Sequence, residues 1–195
     1  MLAIATVACV NSGKKSSEKR EVATNSIVEN TVDGVKQYSV TLKSGKKVMV
    51  EVDNKESASI SKITVSSSDY SNASFQLEAD PIAELLLGDL NQDGVEEIYL
   101  ISRSVGSGSY ATVYGYIPNK QNQLVSTVLP EVTSEQYVEG ALFAGYMGHD
   151  KFSISSTSLV RSFPVYKKGD TNANPTGGTK EVHYILKDNQ LVLHK

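Results

Sequence analysis

The chain has one cysteine, Cys9, and no tryptophan. A lone cysteine excludes an intrachain disulfide and any zinc site built on cysteine pairs. Histidine is scarce. His149, His183 and His194 are scattered without metal-ligand spacing, and no Ser/His/Asp set can be assembled around them. An excess of basic charge is also missing: the net charge is −3 and the pI about 5.6. A nucleic-acid binder needs a basic face to displace counterions from phosphates, so that class is set aside. A mildly acidic surface does suit a basic partner. No apolar run is long enough to span a bilayer, and no internal repeat is visible.

What is present is a 195-residue chain rich in Tyr, Ser and Gly, with ten tyrosines. That length fits one domain and a tail. Residues 1–36 carry few large apolar side chains beyond the start, and Lys14 to Glu21 is a mixed-charge run. Residues 10–35 therefore read as a disordered tether, because low hydrophobicity cannot offset chain entropy. From residue 37 the pattern changes. Tyr38, Val40 and Leu42 alternate with polar residues, Ser44-Gly45 makes a turn, and Val48, Val50 and Val52 alternate again, which is a hairpin signature. Further strands are expected at Ile60–Ser66, Ser74–Leu77, Glu96–Ser102, Ala111–Ile117, Gln123–Leu129, Lys151–Ser155, Leu159–Tyr166, Glu181–Leu186 and Gln190–Leu193, with Asp188-Asn189 as a tight turn. Asp80-Pro81 predicts a short helix over Ile82–Leu87, and Thr133 or Ser134 predicts another over Glu135–Glu139. The expectation is an all-β domain over residues 37–195, an antiparallel sandwich or barrel-like fold with one or two short helices.

Two loops stand out. In Gly88-Asp89-Leu90-Asn91-Gln92-Asp93-Gly94-Val95-Glu96-Glu97, oxygen-bearing residues recur at alternate positions with glycine at the sixth. Such a loop can wrap Ca²⁺ through Asp89, Asn91, Asp93, the Val95 carbonyl and Glu97. The position where an EF-hand needs its bidentate glutamate is Leu100, and a strand follows where a helix should. The other reading is a turn in which Asp and Asn side chains bond their own backbone. The second loop is Ser104-Val105-Gly106-Ser107-Gly108-Ser109-Tyr110, between two expected strands. It has neither the Lys-Ser/Thr ending of a phosphate loop nor the spacing of a nucleophile elbow. By composition it is a flexible hairpin loop with an amphipathic tyrosine at its edge.

Two resemblances add to these readings. Leu2 to Ala8, the small residue before Cys9 and the polar stretch after it resemble the end of a bacterial lipoprotein signal, which implies export and a lipid on Cys9. The run from Gly88 through Tyr110, and later Leu159-Val160-Arg161-Ser162-Phe163-Pro164-Val165-Tyr166 through Pro175-Thr176-Gly177-Gly178, resemble the periplasmic inhibitors of invertebrate-type lysozyme. That resemblance covers roughly residues 80–193. It implies a β inhibitor domain in the bacterial cell envelope that plugs a lysozyme cleft with a loop. The loop here is Ser104, Gly106, Ser107, Gly108, Ser109 and Tyr110, with Arg161, Tyr166 and Lys167 as flanking contacts. The implied partner is a lysozyme. No nucleic acid is involved, the membrane is met only through the lipid, and a homodimer stays open. No cofactor is required, and Ca²⁺ at the Asp89 loop is the one open candidate. The rival function is a Ca²⁺-dependent adhesion or carbohydrate-binding module. Catalysis is the least supported class.

Overall fold

The alternating apolar residues mark the inward faces of strands. The structure, a computed structural model, describes residues 24–194. Five strands form a first sheet: β1 (Ser26–Val32), β2 (Val35–Thr41), β3 (Lys47–Asp53), β4 (Ser61–Ser66) and β5 (Ser74–Ala79). Tyr38, Val40, Val48, Val50, Val52, Ile63 and Val65 are buried on its inner side. Antiparallel register sets Val40 opposite Val48 and Val50 opposite Val65, so each valine packs on a cross-strand neighbour. Each such side chain, fully buried, contributes about 1.5–3 kcal/mol.

The second sheet comprises β6 (Ile82–Gly88), β7 (Glu97–Arg103), β8 (Ala111–Pro118) and β9 (Leu124–Val128). The third comprises β10 (Lys151–Ile154), β11 (Leu159–Pro164), β12 (Thr179–Lys187) and β13 (Gln190–Leu193). The second sheet is the middle layer. Ile98, Leu100, Tyr116 and Leu124 face the first sheet, and Tyr99, Ile101 and Val113 pack with Phe152, Leu159, Phe163, Val182 and Tyr184 of the third. All residues of β7 from Glu97 to Ser102 are buried, because both faces of that strand are covered. The result is the expected all-β antiparallel domain, built as three sheets in layers and not as a closed barrel. A single-turn helix, α1 (Ser134–Tyr137), leads out of the middle sheet. Thr133 starts it, and the Gln136 side chain accepts a hydrogen bond from the Thr133 N–H at 2.8 Å.

Two expectations fail. The stretch Ile82–Leu87 is strand β6, not a helix. Pro81 does not begin a helix, since its carbonyl accepts from Arg103 N–H at 2.9 Å and so extends the pairing toward β7. The apolar run lies in a two-sided layer, where sheet pairing and burial override the helix-start signal. The tether does not reach residue 36 either. Ser26–Val32 pairs with β2 through the Asp33-Gly34 turn, whose positive φ values of 50° and 78° fit a two-residue hairpin. Every residue of β1 is exposed, so no alternation betrays it. Cys9 lies outside the described residues.

Glu97 is the unusual member of the middle layer. It is fully buried at the start of β7. Its Oε2 accepts from Leu90 N–H at 2.8 Å and from the Tyr99 hydroxyl at 3.3 Å. Its Oε1 is buried without a partner among the described residues. Burial pushes the carboxyl up to about 7, the Leu90 N–H opposes this, and the nearby Asp89 charge adds to the rise. Folding therefore favours protonated Glu97. The stabilisation is full below the carboxyl's unfolded value, near 4.5, and is lost as pH rises through about 7. Thermal denaturation from pH 4.5 to 8 is expected to show this loss, on the order of 3 kcal/mol. Glu97→Gln should flatten that slope, and an unchanged slope in the variant would remove Glu97 as its source.

Candidate functional site

β7 and β8 leave the doubly covered layer side by side and are joined by Ser104–Tyr110. The Ser104 N–H donates to the Tyr110 carbonyl at 2.8 Å, and the Ser104 hydroxyl accepts from Tyr110 N–H at 3.0 Å, which closes the base of the loop. A tight turn tops it, with Ser109 N–H donating to the Gly106 carbonyl at 2.9 Å and Ser109 at φ 45°. Val105, Gly106, Ser107 and Tyr110 are exposed, whereas Ser104, Gly108 and Ser109 are half-buried.

The loop is fixed from outside its own hairpin. The Ser107 carbonyl accepts from Asn172 Nδ2 at 2.6 Å, and the Gly108 carbonyl from His149 N–H at 2.8 Å. Arg103 reaches the Ser109 carbonyl at the long distance of 3.4 Å and the Asp150 carbonyl at 2.7 Å. Close approach needs glycine on both sides. A Cβ on Gly148, which sits at φ +90°, would lie 1.9 Å from the Gly108 oxygen, and one on Gly108 would lie 2.4 Å from the Tyr110 ring. The four carbonyls from Gly106 to Ser109 thus all face inward to protein donors. Among the described residues, the N–H groups of Gly106, Ser107 and Gly108 make no hydrogen bond. The loop therefore offers donors outward. The Ser109 N–H is taken by the turn.

Beneath the loop lies a buried polar knot. Asp150 Oδ1 accepts from Arg161 Nε at 2.6 Å, and Asp150 Oδ2 accepts from the Tyr146 hydroxyl at 2.8 Å and from Ala111 N–H at 3.2 Å. The Arg161 guanidinium lies 4.7 Å from the Tyr146 ring centroid and 5.2 Å from that of Phe143. Burial works against the Arg161 charge, yet the Asp150 hydrogen bond and charge outweigh it and raise the guanidinium further. Burial likewise raises the Tyr146 phenol. Arg161 is only 3% exposed, so its expected partner contact is corrected to a structural role. A signal was available: Arg161 shares strand face with Leu159 and Phe163, both core residues. Tyr166 is also buried, and its hydroxyl donates to the Asn172 carbonyl at 2.9 Å. It braces the clamp and does not meet a partner directly. Lys167 is exposed at a turn closed by Asp170, which accepts from Lys167 N–H and Thr176 N–H, both at 2.7 Å. Asn172 and His149, the clamp residues, carried no sequence signal.

The Asp89 loop sits away from this site, at the β6–β7 connection. Asp89 accepts from Asp93 N–H and Gly94 N–H at 3.0 and 2.9 Å, Asn91 accepts from Asp93 N–H at 2.9 Å, and Asp93 accepts from Val95 N–H at 2.9 Å. Its side-chain oxygens are engaged as in a turn, and Gly94 supplies the positive φ. Among the described residues no three His, Cys, Asp or Glu side chains gather as a metal-binding group. His183 is exposed and its Nδ1 lies 3.0 Å from the Ser158 hydroxyl, which lies 2.6 Å from that of Ser155. Among the described residues no carboxylate bonds the His183 ring, the third member such a pair needs to act as base and nucleophile.

Removing the clamp donor with Asn172→Ala is expected to raise amide exchange of Ser109, whose N–H closes the tip turn, about tenfold, which is the loss of one hydrogen bond, with little change in the melting transition. Exchange measured by mass spectrometry checks this, and unchanged protection would mean the loop holds itself. Arg161→Met leaves the Asp150 carboxylate buried and alone, and should cost about 3–5 kcal/mol in chemical denaturation.

No protein-family model matches the chain, and no curated protein matches it. Among solved structures, the crystal structure of PliI-Ah, a periplasmic lysozyme inhibitor of I-type lysozyme from Aeromonas hydrophyla, is similar over 50% of this chain and 91% of its own, at 28% identity and a TM-score of 0.41.

Proposed function

We propose that the protein is an exported inhibitor of an invertebrate-type lysozyme, acting by inserting the Ser104–Tyr110 loop into the enzyme's cleft. The carrying observation is the polarity of that loop: the carbonyls from Gly106 to Ser109 are bonded to protein donors, while among the described residues the N–H groups of the exposed Gly106 and Ser107 make no hydrogen bond. A lysozyme cleft presents two carboxyl groups that flank the scissile bond. A tip with open backbone donors complements them, and the Ser107 hydroxyl can add a further donor. The sequence resemblance of the Gly88–Tyr110 and Leu159–Gly178 stretches to inhibitors of this enzyme class names the target.

Blocking a cleft requires complementarity and rigidity, not chemistry. The clamp from His149 and Asn172 supplies the rigidity, so little loop entropy remains to be lost on binding. An interface of standard size buries about 1,600 Å² in total, so surface beside the loop must also take part. Cell-envelope localisation and a lipid on Cys9 belong to the same proposal.

The test is a cell-wall lysis assay with invertebrate, goose and chicken lysozymes, each with added protein. Inhibition of the invertebrate enzyme is expected. The double variant Ser107→Ala/Tyr110→Ala should lose at least about tenfold in potency, as hot-spot truncations do, with an unchanged circular dichroism spectrum. Normal inhibition by the double variant sinks the loop assignment. Glycan binding without inhibition of any lysozyme favours the adhesion reading.

A further inference from the structure

Beside the loop lies an open cleft of about 390 Å³, lined by Tyr110, Tyr137, Tyr146, Val128 and Glu131, with Arg161 reaching its floor. Tyr146 is buried beneath the cleft and packs against both other rings, with its centroid 5.6 Å from that of Tyr110 and 6.0 Å from that of Tyr137. Tyr110 is 47% exposed and Tyr137 43%. Two tyrosines thus offer open ring surface at the mouth of one recess, next to the proposed inhibitory loop.

The charged side chains of the lining are Glu131, which is exposed, and Arg161, which is buried. From Gln121 to Asp150 the chain contains no lysine and no arginine, but it contains Glu131, Glu135, Glu139 and Asp150. Asp150 is neutralised by Arg161 at 2.6 Å, so the floor of the cleft carries no net charge. Glu131, Glu135 and Glu139 are exposed, and among the described residues none of them forms an ion pair. The Tyr137 phenol is raised, by burial first and then by the neighbouring Tyr110, with the Arg161 charge opposing and Asp150 and Glu131 adding to the rise. Open aromatic faces beside the unpaired Glu131 carboxylate, with Glu135 and Glu139 on the same stretch of chain as Tyr137, are surroundings that a cationic side chain prefers.

We propose that this cleft docks a basic protein surface, with an arginine or lysine side chain of the partner seated between Tyr110 and Tyr137 and the three glutamates facing its cationic surroundings. The glutamates steer the encounter, and the rings hold the cation once water is excluded. A neutral glycan gains nothing from the carboxylates, and an anionic membrane is repelled by them. The proposal deepens the inhibitor reading: it describes the partner surface that surrounds the cleft the loop enters, and it rests on that reading for the partner's identity alone.

The experiment titrates the full chain with a hexa-arginine peptide, and with hexaglutamate as control, while following resonances of the assigned protein. Hexa-arginine is expected to shift Tyr110, Tyr137 and Glu131, and hexaglutamate is not. Tyr137→Ala, and separately the triple variant Glu131→Gln/Glu135→Gln/Glu139→Gln, should each weaken peptide binding at least about fivefold while melting as the parent does. Shifts confined to another face, or unaltered binding in both variants, overturn the docking site. With an invertebrate-type lysozyme, the triple variant should associate about tenfold more slowly at low salt, and the difference should vanish near 0.5 M salt. Peptide binding at the cleft without lysozyme inhibition overturns the function proposed above and leaves the docking site standing. Inhibition without peptide binding at the cleft does the reverse.

Discussion

The Asp150–Arg161 pair is the contact on which the rest of the site depends. One carboxylate joins the third sheet, through Arg161 on β11, to the middle sheet, through the N–H of Ala111 at the start of β8. The Tyr146 hydroxyl completes it, and the Asp150 carbonyl takes a further bond from Arg103 at the end of β7. Both strands that carry the loop are therefore fastened at their exit points. A buried ion pair adds little net stability against an apolar replacement. What it supplies here is registration: Asp150 follows His149 and Gly148, so placing Asp150 also places the backbone that holds Gly108.

The layering explains why such a tie is needed. An apolar contact between two sheets is non-directional and tolerates sliding. A loop that must meet a partner in one geometry needs directional bonds across the layers. In the second core these are confined to the end of the middle sheet where the loop emerges, while the interior of that core is built of Tyr99, Ile101, Val113, Phe163 and Val182. Glu97 marks the opposite end of β7, where a carboxyl group with one oxygen unpartnered among the described residues is enclosed next to the Asp89 turn.

Legibility in the sequence followed solvent. β2 and β3 alternate because one face is wet, and both were readable as strands. β7 does not alternate, since both faces are covered, yet its β-branched and aromatic content still marked it. β6 was misread because a short apolar run behind Asp80-Pro81 fits a helix start as well as a buried strand, and periodicity alone cannot separate them. β1 was missed because it buries nothing, although Asp33-Gly34 signalled its turn. The loop from Ser104 to Tyr110 was visible by composition, but its rigidity was not. Rigidity comes from His149 and Asn172, which are far away along the chain and have no pattern of their own.

Each sheet consists of strands that are consecutive in sequence, paired in the order in which they occur. Most pairings are therefore made across a short connection, with a small loop-closure cost, and the longest of these connections is the stretch 165–178 between β11 and β12. The chain can zip its hydrogen-bonded ladders progressively from one end to the other. The middle layer is the exception in energy, though not in topology. Its strands find each other locally, but their two faces are dry only after the sheets before and after have both arrived. The hairpin that bears Ser104–Tyr110 thus belongs to the segment whose burial is completed last, when β11 and β12 deliver Arg161 and Val182 to the second core.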